Sequence, residues 1–356
     1  MNAIKTAIVV DTPYQIMSAV SYVTNHMGQE KKADIYIDTR RCVNYDMKKL
    51  FNRVKESGLF GDVVELNSLS SGKFGIIKKL ANYYEWLFPK SSIKKGMSSK
   101  QSVSSLQYNK VVVSGPFMLQ RNFIGLFPDA EIIFIEDGSG SYTDRIGVAN
   151  LAKSGEMMQK LLRRGPKNIN PDECFLFSPN YYRGEYKERT RKLLLAKGEL
   201  LEQFFNISSE IYEKSKMVYF DQPKYSGEIN KDTDLNIFQI LNTIEGLVVR
   251  PHPQLKGRKY KNLIVDNEGI QWEMLCQRYV NDSTVLIGKY STAQLSPKLI
   301  FDKEPYIVFT HRLYGKFSRI DSEIERFKRE YKNPNKIFVP ESIEEFREII
   351  TQRSLR

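Results

Sequence analysis

The sequence has few cysteines and few histidines, and both residue types are scattered along the chain. It contains 3 cysteines in 356 residues. Cys42, Cys174 and Cys276 lie too far apart for a CxxC motif or a zinc ribbon, and so few cysteines exclude a disulfide-stapled chain. With only 3 histidines, a metal enzyme built on several histidines is also excluded. Such sparse cysteine usage is typical of a reducing compartment.

Long apolar runs are also lacking. No stretch approaches the roughly 20 apolar residues of a membrane-spanning helix. The apolar run Ala7–Val10 near the N-terminus is too short for a signal peptide. We therefore expect a cytoplasmic protein. Neither a GxGxxG motif nor a GxxxxGKS/T motif is present, so dinucleotide and P-loop sites have no support.

What the sequence does have is positive charge and a globular composition. Lys plus Arg number 54 against 42 for Asp plus Glu, which gives a formal net charge of +12, and 41% of the residues are hydrophobic. This composition excludes a disordered or collagen-like chain. The length suggests two domains. The excess charge favours polyanionic partners, namely nucleic acid, an anionic membrane face or a phosphorylated substrate.

Short apolar runs alternate with amphipathic stretches, which predicts βαβ units and parallel sheets. In the first half, strands are expected at Lys5–Val10, Asp34–Ile37, Asp62–Leu66, Lys110–Val113 and Glu131–Ile135, with helices at Pro13–Met27, Tyr45–Ser57, Phe74–Phe88 and Phe117–Phe127. In the second half, strands are expected at Met217–Phe220, Gly246–Val249, Leu263–Val265, Thr284–Ile287 and Tyr306–Phe309, with helices at Asp234–Thr243, Gln271–Tyr279, Thr292–Phe301, Ser322–Tyr331 and Glu341–Thr351.

Two segments between these elements have their own predictions. Glu185–Phe205 is predicted as one long charged helix. Lys90–Gln107 is polar and unpatterned, and is predicted as a flexible loop suited to a lid or a membrane-facing patch. We expect domains at 1–210 and 211–356, joined near Asn206–Lys216, with a cleft between them.

The loops after strands carry the candidate site, because ligands of open α/β sheets bind beyond the carboxyl ends of strands. One such loop begins with two adjacent carboxylates, Glu136 and Asp137. They can raise one another's pKa, so that one of them could take a proton from a hydroxyl group. Gly138 lets the backbone turn sharply. The alternative is an ordinary turn rich in Asp, Gly and Ser.

Two further loops suit a phosphate group. Prolines on both sides of His252 hold its imidazole at a strand end, and Arg250 adds a second anion contact. Ser291 and Thr292 follow another strand and begin a predicted helix, whose N-terminus favours phosphate. The alternatives are a proline-stiffened turn and an ordinary helix N-cap.

A DxD tripeptide, which holds a divalent metal in many sugar transferases, occurs at Asp232-Thr233-Asp234. It follows no predicted strand and stands at the start of a predicted helix. That position favours a charged first helical turn over a metal site.

Taken in order, these motifs resemble those of bacterial sialyltransferases. Glu136-Asp137-Gly138, His252-Pro253 and Ser291-Thr292 are similar to the acidic-Asp-Gly, His-Pro and Ser/Thr motifs of these enzymes. Asp11-Thr12-Pro13-Tyr14-Gln15 and Phe127-Pro128-Asp129-Ala130-Glu131 resemble glycosyltransferase family 52, which includes the lipooligosaccharide sialyltransferases. The ordered set extends from near residue 8 to near residue 300.

The resemblance implies a GT-B fold, in which an N-terminal, acceptor-side Rossmann-like half faces a C-terminal, donor-binding half across a cleft. It implies an inverting transfer of sialic acid from CMP-sialic acid to a hydroxyl of a bacterial lipooligosaccharide or capsule glycan, with no metal and no cofactor. Asp137 would be the general base. His252, Ser291 and Thr292 would contact the donor phosphate, and Glu273 would bind the cytidine ribose. Gly138, Pro253 and Gln15 would support these loops.

Departures from the family pattern leave two questions open. The base is either Asp137 or Glu228, which lies beyond the loop Asp221-Gln222-Pro223. The His-Pro and Ser/Thr motifs also resemble those of CDP-glycerol glycerophosphotransferases. The donor could therefore be CDP-glycerol, CDP-ribitol or another nucleotide sugar used in capsule or wall polymer synthesis.

The expected partners are a nucleotide-sugar donor and a glycan or glycolipid acceptor. We also expect peripheral contact with the anionic inner membrane face through Lys94, Lys95 and Lys100 in the Lys90–Gln107 segment. A non-enzymatic polyanion-binding protein is the alternative from another class. No RRM, KH or helix-turn-helix motif supports a nucleic-acid partner.

Overall fold

The computed structural model describes residues 5–28, 32–40, 42, 45–69, 75–97, 107–115, 118–142, 146, 170–205, 207–223, 232–252 and 260–354. The chain divides into two compact units, Met1–Phe205 and Asn206–Arg356. Each unit is built on one parallel sheet. The predicted α/β class with two parallel-sheet units is thereby confirmed.

Among its described residues, the first unit contains seven strands and six α-helices. The strands are β1 (Thr6–Val10), β2 (Asp34–Ile37), β3 (Val63–Glu65), β4 (Lys110–Val113), β5 (Glu131–Ile135), β6 (Glu173–Leu176) and β7 (Thr190–Lys192). The helices are α1 (Pro13–His26), α2 (Met47–Glu56), α3 (Gly75–Leu87), α4 (Pro89–Gly96), α5 (Met118–Ile124) and α6 (Gly198–Phe204). The strand order is β3-β2-β1-β4-β5-β6-β7. Every residue of β1 and β2 is buried, as expected for parallel strands covered on both faces.

In the part of the second unit that the structure describes, there are six strands and six α-helices. The strands are β8 (Met217–Phe220), β9 (Val248–Arg250), β10 (Ile264–Val265), β11 (Val285–Gly288), β12 (Tyr306–Phe309) and β13 (Ile337–Phe338). The helices are α7 (Glu210–Lys214), α8 (Thr233–Leu241), α9 (Trp272–Tyr279), α10 (Thr292–Phe301), α11 (Ser318–Lys328) and α12 (Ile343–Ser354). The strand order is β10-β9-β8-β11-β12-β13. In the part of the chain that is described, no helix is both long enough and apolar enough to cross a membrane.

The long helix predicted at Glu185–Phe205 is wrong. The chain there makes a short 3₁₀ turn at Lys187–Arg189, then strand β7, and forms α-helix only from Gly198. Strand β7 pairs with β6 at the sheet edge, where its Arg and Lys side chains reach solvent. The backbone hydrogen bonds of this edge strand therefore outweigh the helix preference of charged residues.

The unpatterned loop predicted at Lys90–Gln107 is also wrong over its first part. Residues Pro89–Gly96 form α4, which begins with Pro at its first position, where the missing N–H costs nothing. Ile93 is fully buried in the core of the first unit and anchors this helix. One buried aliphatic side chain over two turns is too weak a periodicity to detect in the sequence. Residues 98–106 lie outside the described residues.

Candidate functional site

The acidic loop after β5 contains one structural carboxylate. Glu136 is almost completely buried. Its Oε1 accepts a hydrogen bond from the Tyr14 hydroxyl at 2.6 Å, and its Oε2 accepts bonds from the Tyr142 hydroxyl at 2.5 Å and the Phe177 N–H at 2.8 Å. Burial and the neighbouring Glu136 charge raise the pKa of Tyr142 well above its ordinary value, so this tyrosine remains a hydrogen-bond donor. Glu136 thus ties α1 and the chain after β6 to the loop.

Asp137, the predicted base, is partly exposed and is oriented by Gln15. Its Oδ1 accepts a hydrogen bond from Gln15 Nε2 at 2.9 Å, and its N–H donates to Ser141 Oγ at 2.8 Å. Gln15 is fully buried, and its Oε1 accepts from the Asp11 N–H at 2.6 Å. Asp137 is more exposed to solvent than Glu136, which is almost completely buried. The structure brings Gln15 and Asp137 together, although 122 positions separate them.

A glutamine that the sequence analysis missed completes this network. Gln120 in α5 is fully buried. Its Oε1 accepts from the N–H groups of Ser114 and Gly115, each at 2.9 Å, and its Nε2 lies 3.4 Å from Asp11 Oδ2. It thereby joins the loops that follow β1 and β4. The detectable signal was a polar residue on the otherwise apolar face of a predicted helix.

Gly138 adopts a backbone conformation that only glycine takes at little cost, with φ of +87°. We expect Gly138→Ala to destabilise the first unit by about 1–2 kcal/mol, because a Cβ in the left-handed region crowds the carbonyl oxygen. Urea unfolding of the full chain measures the difference. Gly140→Ala is the matched control in the same loop, since a Cβ at Gly140 meets nothing within 4 Å. Equal unfolding free energies for the two variants would contradict the role of Gly138.

In the second unit, Arg250 is the last residue of β9 and its side chain is already paired. Its guanidinium forms an ion pair with Asp266, donates to the carbonyl oxygen of Ile270 and lies 5.8 Å from the centre of the Trp272 ring. Burial works against its charged form, but Tyr212 and Asp266 hold the pKa of Arg250 above its ordinary value. Arg250 therefore connects the end of β9 to Asp266 and Ile270. Its contact with a donor phosphate stays a prediction.

His252 follows β9 and is partly buried. Burial lowers the pKa of its imidazole below the ordinary value. A neutral imidazole still has one N–H that can donate to a phosphate oxygen. Pro253, which was predicted to stiffen this loop, and Glu228, the alternative base, lie outside the described residues.

Ser291 is the N-cap of α10, and Thr292 is the first residue of that helix. Ser291 Oγ accepts from the Ala293 N–H at 3.3 Å, and Gln294 Oε1 accepts from the Ser291 N–H at 3.1 Å, which completes a capping box. This is the ordinary capping role that the sequence offered as the alternative. It also fixes the start of a ten-residue helix, whose N-terminus favours an anion.

The loops after β8 and β11 are joined by Gln222. Its Nε2 donates to the carbonyl oxygen of Tyr290 at 2.7 Å, and its Oε1 accepts from the Tyr290 N–H at 3.0 Å. β8 lies between β9 and β11 in the sheet. The chain segments that carry His252, Gln222 and Ser291 therefore all begin at the carboxyl ends of three adjacent parallel strands. The sequence analysis named Gln222 only as part of a loop and missed this contact.

Glu273, the predicted ribose ligand, lies in the first turn of α9 and is 4% exposed. Its carboxylate accepts from Ser296 Oγ at 3.1 Å and from the Gln271 side chain. Burial raises the pKa of Glu273 above its ordinary value. In the same turn, Trp272 Nε1 donates to the Ala293 carbonyl at 2.8 Å. Glu273 thus contacts α10 through Ser296, and its contact with a ribose stays a prediction.

The DxD tripeptide forms the start of a helix, as its position predicts. Asp232 is the residue before α8, and Asp234 accepts a hydrogen bond from the Tyr314 hydroxyl at 2.6 Å. Among the described residues, no three His, Cys, Asp or Glu side chains are grouped so as to hold a metal ion.

Comparisons with known proteins identify the fold. No protein-family model matches the chain, and no curated protein matches it. Among solved structures, the glycotransferase of kitacinnamycin is similar, with a TM-score of 0.54 and 8% identity over 99% of this chain and 91% of that one. A structure described as a UDP-N-acetylglucosamine 2-epimerase from Listeria monocytogenes gives 0.50 and 9% identity over 94% and 90%.

Arabidopsis thaliana UGT89C1, solved in complex with UDP, gives a TM-score of 0.50 and 8% identity over 86% of this chain and 80% of that one. At such low identities the similarity concerns the arrangement of the backbone and leaves the reaction open. The chain has a GT-B-like fold.

Proposed function

We propose that the protein is an inverting glycosyltransferase that transfers sialic acid from CMP-sialic acid to a hydroxyl of a surface glycan or glycolipid. One observation supports this most. Three adjacent parallel strands of the second unit are followed by His252, Gln222 and Ser291. A capped helix N-terminus lies at the same carboxyl ends of these strands. Because neighbouring strands lie about 4.8 Å apart and β8 separates β9 from β11, these two strands lie roughly 10 Å apart. Side chains from the loops that follow them can therefore reach one phosphate group placed between them.

The first step of the proposed reaction is removal of a proton. Asp137 takes the proton of the acceptor hydroxyl, and the oxygen attacks the anomeric carbon as the bond to the leaving phosphate breaks. The contact from Gln15 orients the carboxylate of Asp137 for this step. Glu228 is the alternative base in this proposal.

The second part of the reaction is stabilisation of the leaving group. Negative charge grows on the phosphate of CMP as the bond breaks. In this proposal, that charge is stabilised by the side chains of His252, Ser291 and Thr292 and by the N-terminus of α10. Because a monophosphate carries less charge than a diphosphate, these groups can suffice without a metal, and we propose a metal-independent transfer.

We expect CMP to raise the melting temperature of the 356-residue chain more than UMP or AMP does. We also expect CMP-sialic acid to release nucleotide in the presence of an acceptor glycan, at the same rate with and without EDTA. A thermal-shift series and a donor panel that includes CDP-glycerol and UDP-N-acetylglucosamine measure both effects.

One result would contradict the donor assignment, and another would contradict the metal-independent mechanism. Turnover of UDP-N-acetylglucosamine alone would favour a UDP-sugar reaction. Loss of all turnover in EDTA with recovery in Mn²⁺ would overturn the metal-independent mechanism and return attention to Asp232 and Asp234.

A further inference from the structure

An apolar surface is exposed on helix α3 of the first unit. Ile76, Ile77 and Leu80 are 75%, 64% and 63% exposed, and Phe88, just after the helix, is 53% exposed. The first three lie within little more than one helical turn, so their side chains share a side of α3. Exposed apolar residues are ordinary when single, but several together mark an interaction surface.

Within the stretch 75–97, which carries this surface, the exposed charge has one sign. Lys90, Lys94 and Lys95 of α4 are all exposed. Glu85 is the one acidic residue in the stretch 75–97, and it is buried. Its Oε1 accepts from Ser68 Oγ at 2.7 Å and from the N–H of Leu69. The surface of α3 and α4 therefore presents lysines and apolar side chains without an exposed carboxylate.

An aromatic pair connects the apolar and the basic parts. The rings of Tyr84 and Phe88 lie 5.3 Å apart. Lys95 Nζ donates to the Tyr84 hydroxyl at 2.9 Å and lies 4.6 Å from the centre of its ring. Aromatic rings with a polar tip, next to lysines with apolar stems, suit the boundary between hydrocarbon and water.

We propose that α3 and α4 dock on an anionic lipid surface, with Ile76, Ile77, Leu80 and Phe88 in the headgroup–acyl boundary and the α4 lysines on the lipid phosphates. An apolar helix face flanked by lysines is the pattern of helices that lie in the membrane plane. The lack of exposed carboxylates favours anionic lipid as the occupant, because a negative surface attracts the lysines. Contact between two copies of the chain would instead bring these lysines together.

Sedimentation of the 356-residue chain with vesicles tests this surface. We expect at least ten-fold tighter binding to phosphatidylglycerol-containing vesicles than to pure phosphatidylcholine vesicles. The triple change Ile76→Gln, Ile77→Gln and Leu80→Gln should weaken binding to the anionic vesicles at least ten-fold. Leu235→Gln is the matched control, because Leu235 is 60% exposed but belongs to the second unit. This substitution should leave vesicle binding unchanged.

A second variant separates charge from apolar contact. Lys94→Glu with Lys95→Glu should weaken binding to the anionic vesicles and reduce its dependence on salt. Wild-type affinity in the triple variant would overturn the proposal. So would a dimer in analytical ultracentrifugation that the triple change dissociates, without vesicle binding by the wild type. Nucleotide release with a water-soluble acceptor does not depend on this surface, so its failure would contradict the proposed reaction alone.

Discussion

Changing His252 to Ala should lower turnover by about 100-fold or more, the usual contribution of a group that assists proton transfer. The side chain follows the end of β9 and is partly buried, so its removal leaves the strand intact and the fold should survive. Steady-state nucleotide release with the best donor, together with thermal melting, measures the two effects. His26→Ala is the matched control, since His26 packs on Tyr22 and Phe175 in the other unit.

The pH profile distinguishes two forms of this role. Burial lowers the pKa of His252 in the free protein, so its imidazole is neutral near pH 7, and a bound phosphate would raise that pKa again. If His252 donates a proton, kcat should fall as the pH rises through its pKa in the donor complex, and His252→Ala should lack this limb. Near-normal turnover of His252→Ala at every pH would exclude the leaving-group role.

Changing Asp137 to Asn should lower kcat by about 100- to 10,000-fold if its carboxylate is the base. The KM for the donor should change little, because the donor site belongs to the second unit in our proposal. Asn keeps an oxygen that can accept the Gln15 hydrogen bond, so the loop should retain its conformation. Steady-state kinetics over a range of pH measures the effect. Exposed Asp129, which precedes β5, provides the control Asp129→Asn.

Glu228→Gln completes this experiment. A large loss in Glu228→Gln with normal turnover in Asp137→Asn would assign the base to Glu228. Normal turnover in both variants would contradict base catalysis by either residue.

Much of the fold was predictable because most central strands are continuous buried runs of apolar residues. β1, β4, β5 and β8 follow from such runs. Strand β7 could not be predicted in this way, because it lies at the edge of the sheet and exposes its side chains. Its Arg and Lys residues favour a helix prediction instead. β13 has two residues, which is too short for any periodicity. Tertiary pairing determines both strands.

The site was predictable as a set of loops, but its contacts were not. A strand followed by polar residues was enough to single out Asp137, His252 and Ser291. The order of the strands in the sheet could not be predicted from the sequence. Because β8 lies next to β11, Gln222 reaches the backbone of Tyr290. The sequence also could not show that Arg250 pairs with Asp266, because Arg250 ends β9 and Asp266 follows β10, and only the sheet pairing makes these two strands neighbours.

The hydrogen-bonded carboxylate of Glu136 has a consequence for the proposed reaction. Three donors from separate parts of the chain hold it, so the loop that carries Asp137 acquires its shape during folding. In the proposed reaction, the acceptor would then meet a carboxylate that is already oriented, and little conformational entropy would be lost on binding. Such preorganisation lowers the reorganisation needed at the transition state. Glu136 would thus contribute to the rate without touching the substrate.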